Sequence, residues 1–351
     1  MDKERVKTFS DKIFADMAGA MTAGLGYIGV KTGIFRAMAG KGPMTLKQVV
    51  AATSLQPRYV DEWLKGMVCA GYLDYDPEAE TYNLPVEHAF LLASERTDHF
   101  MGGLFCTAPV LLRFAPRVAE AFEKGGGVPY EDYGADGLEA FDMVNRGQYE
   151  QRFAGYWLNS LPEVVERLKT GGSVLDVGCG VGRVVLTLAK TFPRATVVGV
   201  DLDRESIRQA HVAAAAEGLS ARVRLLAHTI GELGPEEKFD LVTACDCVHD
   251  FAAPVEKLKE ILKRMKPDGV LFVLEPKVAD RLEDNRNSMV TMFYGFSVFH
   301  CMTQSLAQGG AGLGTCMGPA RLKALLGEAG FTRFETLDIK SQSFSFHAAR
   351  P

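Results

Sequence analysis

At 351 residues the chain is long enough for two domains, and 47% hydrophobic against 24% charged residues supplies both sizeable cores and a charged surface. A net charge of −5 argues against a general nucleic-acid binder, which must meet phosphates with basic residues. The charged opening, Met1-Asp2-Lys3-Glu4-Arg5, does not suit a secretory leader, and no apolar run is expected to reach membrane-spanning length. Seven cysteines, an odd number with no C-x-x-C pair, are simplest as reduced thiols of a cytosolic protein. Cys245, Cys247, Cys301 and Cys316 match no zinc spacing, so no metal is expected.

Residues 1–40 read as two helices. Phe9, Ile13, Met17, Ala20 and Met21 recur at helical spacing, as do Ile28, Ile34, Phe35 and Met38. The apolar first helix has two uses open to it: packing on a second subunit, or capping its own domain. Next, Thr45 caps a short helix over Leu46–Ala52, and Pro57 opens a second that runs to Cys69 and ends at Gly71. Residues 72–75 and 81–84 read as short strands around the turn Asp76-Pro77-Glu78. This order resembles the winged-helix module, whose usual use is reading DNA. The charges oppose that use here. Arg58 and Lys65 share their helix with Asp61 and Glu62, and the wing carries Asp74, Asp76, Glu78 and Glu80. Residues 1–95 are therefore expected to be a dimerisation domain.

Residues 96–165 read as a helical linker and lid, broken at Gly125-Gly126-Gly127 and around Tyr133–Gly137. Its second part carries Phe141, Tyr149, Phe153, Tyr156 and Trp157 toward the most informative stretch of the chain. There Ser173–Val177 is a short apolar run that enters the turn Gly178-Cys179-Gly180-Val181-Gly182. A helix follows from Arg183, then a second strand, Thr196–Val200, ending at Asp201. That carboxylate lies roughly twenty residues beyond the turn, where it suits a ribose diol. Arg183 replaces the last glycine of a dinucleotide fingerprint, and Asp176 would repel a pyrophosphate but suit an ammonium group. From here strands are expected at 173–177, 196–200, 223–227, 239–244, 269–274, 331–338 and 342–348, with the last two as an antiparallel hairpin. Helices are expected over Glu205–Glu217, Pro254–Met265 and Pro319–Ala329.

The segments Asp176-Val177-Gly178-Cys179-Gly180-Val181-Gly182 and Val197-Val198-Gly199-Val200-Asp201-Leu202-Asp203 resemble the class I S-adenosylmethionine-dependent methyltransferases. The resemblance implies a Rossmann-like, seven-stranded doubly wound α/β sheet over residues 166–351, behind the N-terminal all-α/winged-helix domain. It implies S-adenosylmethionine as cofactor. Gly178, Cys179 and Gly180 would pass under the methionine and ribose, Asp201 would take the ribose diol, and Leu202 would flank adenine. His228 stands where the family often has an acidic residue on the adenine amino group, with Thr229 beside it. Tyr149, Arg152 and Tyr156 are candidates for the methionine end and the transferred methyl.

A narrower resemblance follows at Val248-His249-Asp250-Phe251, with Lys266-Pro267-Asp268-Gly269 and a strand ending Glu275-Pro276. This is similar to winged-helix small-molecule O-methyltransferases of the plant phenolic and bacterial polyketide type, with Phe251 in place of their tryptophan. It implies His249 as general base, or as a substrate-positioning group where the acceptor bears no proton, Asp250 as its neighbour at the substrate, and a cofactor contact at Cys245. Glu275, Glu283 and Asp284 are the candidates for orienting the imidazole. Residues 285–315 read as a lid helix whose Met289, Phe293, Tyr294 and His300 would face substrate. The resulting expectation is methyl transfer to a small-molecule hydroxyl or sulfur by a homodimer. Neither a membrane nor DNA is an expected partner. A winged-helix transcription regulator that binds S-adenosylmethionine as a ligand is the alternative.

Overall fold

The Asp2 carboxylate starts the first helix, α1 (Lys3–Lys31), by accepting from the N–H groups of Glu4 and Arg5 at 3.0 and 3.2 Å. In this computed structural model, which describes residues 1–351, α1 is followed after Gly33 by the short helix Ile34–Met38. Only the C-terminal end of α1 is packed. Gly29 lies so close to Phe35 and Trp63 that a Cβ there would meet their rings at 2.5 and 2.7 Å, and the Trp63 indole donates to the Leu25 carbonyl at 2.8 Å. Phe9, Phe14, Met17 and Met21 farther up the helix are exposed. By length and composition α1 is long enough and apolar enough to cross a membrane, which corrects the expectation that no run reaches that length. Residues 13–30 of this helix carry one charge, Asp16, among small and apolar residues.

Thr45 and Gln48 form a capping box at the start of α2 (Leu46–Thr53), with the Thr45 N–H donating to Gln48 at 2.8 Å. Pro57 opens α3 (Pro57–Cys69), which buries Val60, Trp63, Leu64 and Met67 along one face. The wing pairs Asp74–Asp76 with Thr81–Asn83, which also pairs with Met44–Thr45. The chain groups into two units, residues 1–110 with 139–148 and residues 111–138 with 149–351. The stretch 96–165 is thus shared between them. Its second expected break is a helix start, since Gly134–Arg152 is one helix beginning at Gly134.

The second unit is built on one sheet: β1 (Ser173–Val177), β2 (Thr196–Val200), β3 (Val223–Leu226), β4 (Phe239–Cys245), β5 (Met265–Pro276), β6 (Arg333–Thr336) and β7 (Phe344–Arg350). Its order is β3-β2-β1-β4-β5-β7-β6. The first five strands run parallel and β7 is antiparallel to both β5 and β6. Alternation along each strand feeds two cores. Val174, Leu241 and Phe272 pack on one face with Phe153 and Trp157, whereas Leu175, Val242 and Leu271 pack on the other with Leu258, Ile261 and Leu322. The order reverses between β1 and β4, so a crevice opens beyond the carboxyl ends of these two strands.

Candidate active site

The glycine turn sits at that crevice. Gly178, Gly180 and Gly182 take φ values of 67°, 50° and 83°, the left-handed region where a side chain is costly. At Gly178 the chain has no room either, since a Cβ would lie 3.0 Å from that of Cys247. At Gly180 a Cβ would meet nothing within 4 Å, so this peptide borders open space. Cys179 is buried beneath it. Beyond Gly182, α4 (Arg183–Thr191) carries the chain away from the strand ends.

Asp201 closes the turn from the next strand. One carboxylate oxygen accepts the Gly180 N–H at 2.8 Å and the other accepts the Asp203 N–H at 2.9 Å. A carboxylate has about four lone-pair positions, so two remain for vicinal hydroxyls. Burial raises the pKa of Asp201, and the backbone donors work against that rise. Leu202 beside it is 65% exposed, an apolar face left open at the rim.

Asp176, at the end of β1, stands opposite Thr243 of β4 and accepts its hydroxyl at 2.6 Å. Burial, with help from Asp201, pushes its pKa up to about 7. No cation balances it. Tyr149 is buried nearby, its pKa raised first by burial and then by the charge of Asp246 and by Cys245, Cys247 and Asp176. Its hydroxyl has no hydrogen-bond partner. Cys245 ends β4, and Asp246 after it takes a left-handed φ of 58°. Arg152 is half-buried at the end of its helix, and Tyr156, within the π-helical turn Phe153–Trp157, is exposed. His228 is exposed on the loop after β3. Thr229 is absorbed by a capping box with Glu232, whose carboxylate accepts its N–H at 2.6 Å.

Across the crevice, Val248–Asp250 forms a 3₁₀ turn that buries His249 to 2% exposure. Glu275 of β5 grips this turn twice. One oxygen accepts the Val248 N–H at 3.0 Å and the other meets His249 Nδ1 at 2.5 Å. Glu283 and Asp284 are exposed, so Glu275 is the orienting carboxylate of the three. With Nδ1 committed, Nε2 is the remaining ring nitrogen, 3.6 Å from Asp250 Oδ1, and Cys301 also hydrogen-bonds the imidazole. Burial opposes the imidazolium, but the Glu275 and Asp250 carboxylates outweigh it and hold the pKa well above the ordinary value. Asp250 itself is raised by burial, with His249 pulling the other way.

The lid helix begins at Ser288 and passes through a π-helical turn, Ser297–Cys301, into Met302–Ala307. Such bulges mark functional positions in many helices. This one carries His300 and Cys301, both buried. The His300 ring lies edge-on to Tyr133 and Tyr130, at 4.7 and 5.7 Å between centroids. Burial, reinforced by His249, lowers its pKa to about 3, so it is neutral. Burial pushes the Cys301 thiol up to about 11. Phe293 packs with Val278 and Val290 and Met289 lies against them, while Tyr294 is exposed.

Sequence reasoning did not single out Tyr130 or Tyr133, and it weighed Cys301 only together with other cysteines. The first two lie just past the glycine triplet, on a strap that the lid holds. The Val128 N–H donates to Thr303 Oγ1 at 3.1 Å and the Tyr133 hydroxyl to the Phe299 carbonyl at 2.5 Å. Gly127 approaches the Thr303 carbonyl so closely that a Cβ would stand 1.9 Å from it. A glycine triplet before a Pro-Tyr pair was the available signal.

Residues 168–316 match the family described as Methyltransferase domain, and residues 20–94 match the Rv2258c-like winged HTH domain. By these matches a segment similar to a methyltransferase domain follows a segment similar to a winged helix-turn-helix domain. The ubiquinone biosynthesis O-methyltransferase of Actinobacillus pleuropneumoniae is 35% identical over 108 residues, which cover 29% of this chain and 44% of the relative. The (S)-coclaurine N-methyltransferase of Papaver somniferum is 33% identical over 147 residues, 38% of this chain and 41% of the relative. The chain therefore spans less than half the length of these two relatives. Solved structures share the fold over nearly all of it. Human N-acetylserotonin methyltransferase in complex with SAM has a TM-score of 0.68 at 18% identity, covering 97% of each chain. The mitomycin 7-O-methyltransferase MmcR has 0.68 at 16% identity, covering 100% of each.

S-adenosylmethionine fits the methyltransferase domain by the chemistry of the groups present. Asp176 is a buried carboxylate without a counter-charge, where an ammonium or sulfonium supplies one. The Tyr149 hydroxyl is a buried donor without an acceptor, a loss of roughly 1–3 kcal/mol that a ligand carboxylate relieves. Asp201 retains acceptor positions for a diol, and the Gly180 peptide faces open space.

Proposed function

We propose that this protein transfers a methyl group from S-adenosylmethionine to a hydroxyl of a small molecule, with His249 as general base. The observation that carries this reading is the Glu275–His249 pair. A buried imidazole is fixed through Nδ1, which leaves Nε2 as the nitrogen available to an acceptor. S-adenosylmethionine, when bound, supplies an electrophilic methyl on a sulfonium. Asp176, Tyr149 and Asp201 hold its two ends. The acceptor O–H donates to His249 Nε2. The acceptor's proton would pass to that nitrogen as the oxygen takes the methyl and the methyl–sulfur bond breaks to leave a neutral thioether, and Glu275 would stabilise the imidazolium that forms. The base must be neutral to do this, so turnover rises with pH through a midpoint above the ordinary imidazole value. A thiol acceptor follows the same route. His300, neutral and buried beside Tyr130 and Tyr133, offers an uncharged polar group to an aromatic acceptor.

The exposed apolar part of α1 supports a homodimer through the N-terminal domain. Phe9, Phe14, Met17 and Met21 would be covered by a second copy, and Phe14→Glu with Met17→Glu should give a monomer by analytical ultracentrifugation. DNA reading is disfavoured by α3, where Arg58 pairs with Glu62 and Lys65 with Asp61, leaving no surplus of positive charge. Methyl-labelled S-adenosylmethionine incubated with the protein and a small-molecule extract tests the central reading. Label in an O-methylated or S-methylated small product supports it. Label found only in protein or nucleic acid, or no transfer at all, rejects it.

A further inference from the structure

The side chains around His249 Nε2 do more than place a base. Asp250 Oδ1 is buried and has no hydrogen-bond partner. A ring nitrogen of His249, an oxygen of Asp250 and Cys301 Sγ all lie within 4.8 Å of one another. They come from two distant segments, the 3₁₀ turn after β4 and the π-turn of the lid helix. We propose that this trio binds a thiophilic divalent cation, zinc above all, through His249 Nε2, Asp250 Oδ1 and Cys301 Sγ.

Three observations carry the assignment. The first is donor type. One imidazole, one carboxylate and one thiolate form a mixed N, O, S set, which suits zinc and excludes magnesium and calcium, whose ligands are oxygens. The second is spacing. Bonds of about 2.0–2.3 Å set tetrahedral ligand atoms roughly 3.3–3.8 Å apart. The 3.6 Å between Nε2 and Oδ1 lies in that range, too long for a hydrogen bond and right for two ligands of one ion. The third is the outer support. Nδ1 rests on the Glu275 carboxylate, the carboxylate–histidine–metal arrangement that fixes a ligating ring. Three protein ligands leave a fourth position for a small molecule, as in zinc sites that do chemistry.

Binding releases one proton, because the Cys301 thiol loses its hydrogen to solvent as the sulfur–metal bond forms. The cation meets three buried groups that are negative in this state: Asp250, the Cys301 thiolate and Glu275 behind the ring. It also occupies the nitrogen that would accept a proton from substrate, so the metal-bound and base-competent states exclude each other. The site stands on its own geometry and does not depend on His249 acting as base.

Cobalt(II) titrated into the thiol-reduced, metal-stripped full chain is the test, read by thiolate-to-cobalt charge-transfer absorption. The expected result is saturation at one ion per chain, displacement of that ion by zinc, and the same absorption in Cys69→Ser, which removes the exposed thiol. Cys301→Ser should abolish the absorption. His249→Ala should weaken binding at least tenfold while the sulfur remains, which keeps the proposal testable if the cysteine variant misfolds. Glu275→Gln should weaken it about 10–100-fold. Absence of saturable absorption, or absorption that persists in folded Cys301→Ser, would overturn the assignment. Inactivity of His249→Ala toward acceptors is a separate readout and bears only on the base.

Discussion

The two walls of the crevice are built in opposite ways. The cofactor wall is local, since Asp176 through Asp203 is one strand, one turn, one helix and a second strand, and its contacts are largely backbone. The acceptor wall is assembled from far apart: a 3₁₀ turn at 248–250, Glu275 on β5, a π-turn at 297–301 and a strap around Tyr130. Local walls fix a ligand whose shape never changes, as a cofactor's does not. Assembled walls can vary one segment at a time, which is where acceptor choice would reside on the proposed reading.

The largest expected effect falls on the assembled wall. His249→Ala should lower kcat by about 10²–10⁴, the usual worth of general-base assistance. Affinity for S-adenosylhomocysteine, measured by calorimetry, should barely move, because no cofactor-holding group is touched. A full-rate variant would remove the base assignment and make the imidazole a positioning group.

On the local wall, Asp201→Asn should weaken S-adenosylhomocysteine by about 10–100-fold, the worth of one charge-assisted hydrogen bond of roughly 1.5–3 kcal/mol. The amide can still accept from the Gly180 N–H, so asparagine tests the diol contact with less harm to the turn than alanine. A thermal melt separates the two losses. Unchanged affinity in a stable variant would dissociate Asp201 from the ribose.

The same contrast explains what could be read from the sequence. β1, β2 and the helix Pro319–Ala329 fall on their expected residues, because strand, glycine turn and capping signals all lie within a few positions. The strand expected at 269–274 runs instead from Met265 to Pro276, since its ladder with β4 extends across a register shift that no local pattern announces. His249 was legible through a short motif. Its partner was not settled, because Glu275, Glu283 and Asp284 look alike in a string and only the ladder puts Glu275 under the ring. Cys301 was weighed only with other cysteines, whereas the fold brings it to a histidine and an aspartate. Tyr156 and His228 lay in plausible positions along the chain, yet the structure leaves both exposed.

Glu275→Gln probes the joint between β5 and the Val248–Asp250 turn. The amide keeps a hydrogen bond to one neighbour but removes the charge that raises the His249 pKa. The pH–rate midpoint should therefore move down, and kcat at its plateau should fall on the order of tenfold as the imidazolium loses its counter-charge. A purely structural role would lower the rate without moving the midpoint.

The smallest effect is on the cofactor wall and is a matter of slope. Asp176 must be ionised to hold a cation, and its raised pKa of about 7 places the transition near neutrality. Below that value the free protein carries a proton that the ligand has to displace. Affinity for S-adenosylhomocysteine, whose amino group is cationic, should thus fall about twofold between pH 8 and pH 7, and about tenfold by pH 6. Asp176→Asn should bind more weakly at pH 8 and lose this slope. The base on the opposite wall titrates in kcat and not in this affinity, so the two walls separate in one pH series. A slope that survives in Asp176→Asn would assign the proton to another group and leave the buried carboxylate without a ligand-holding role.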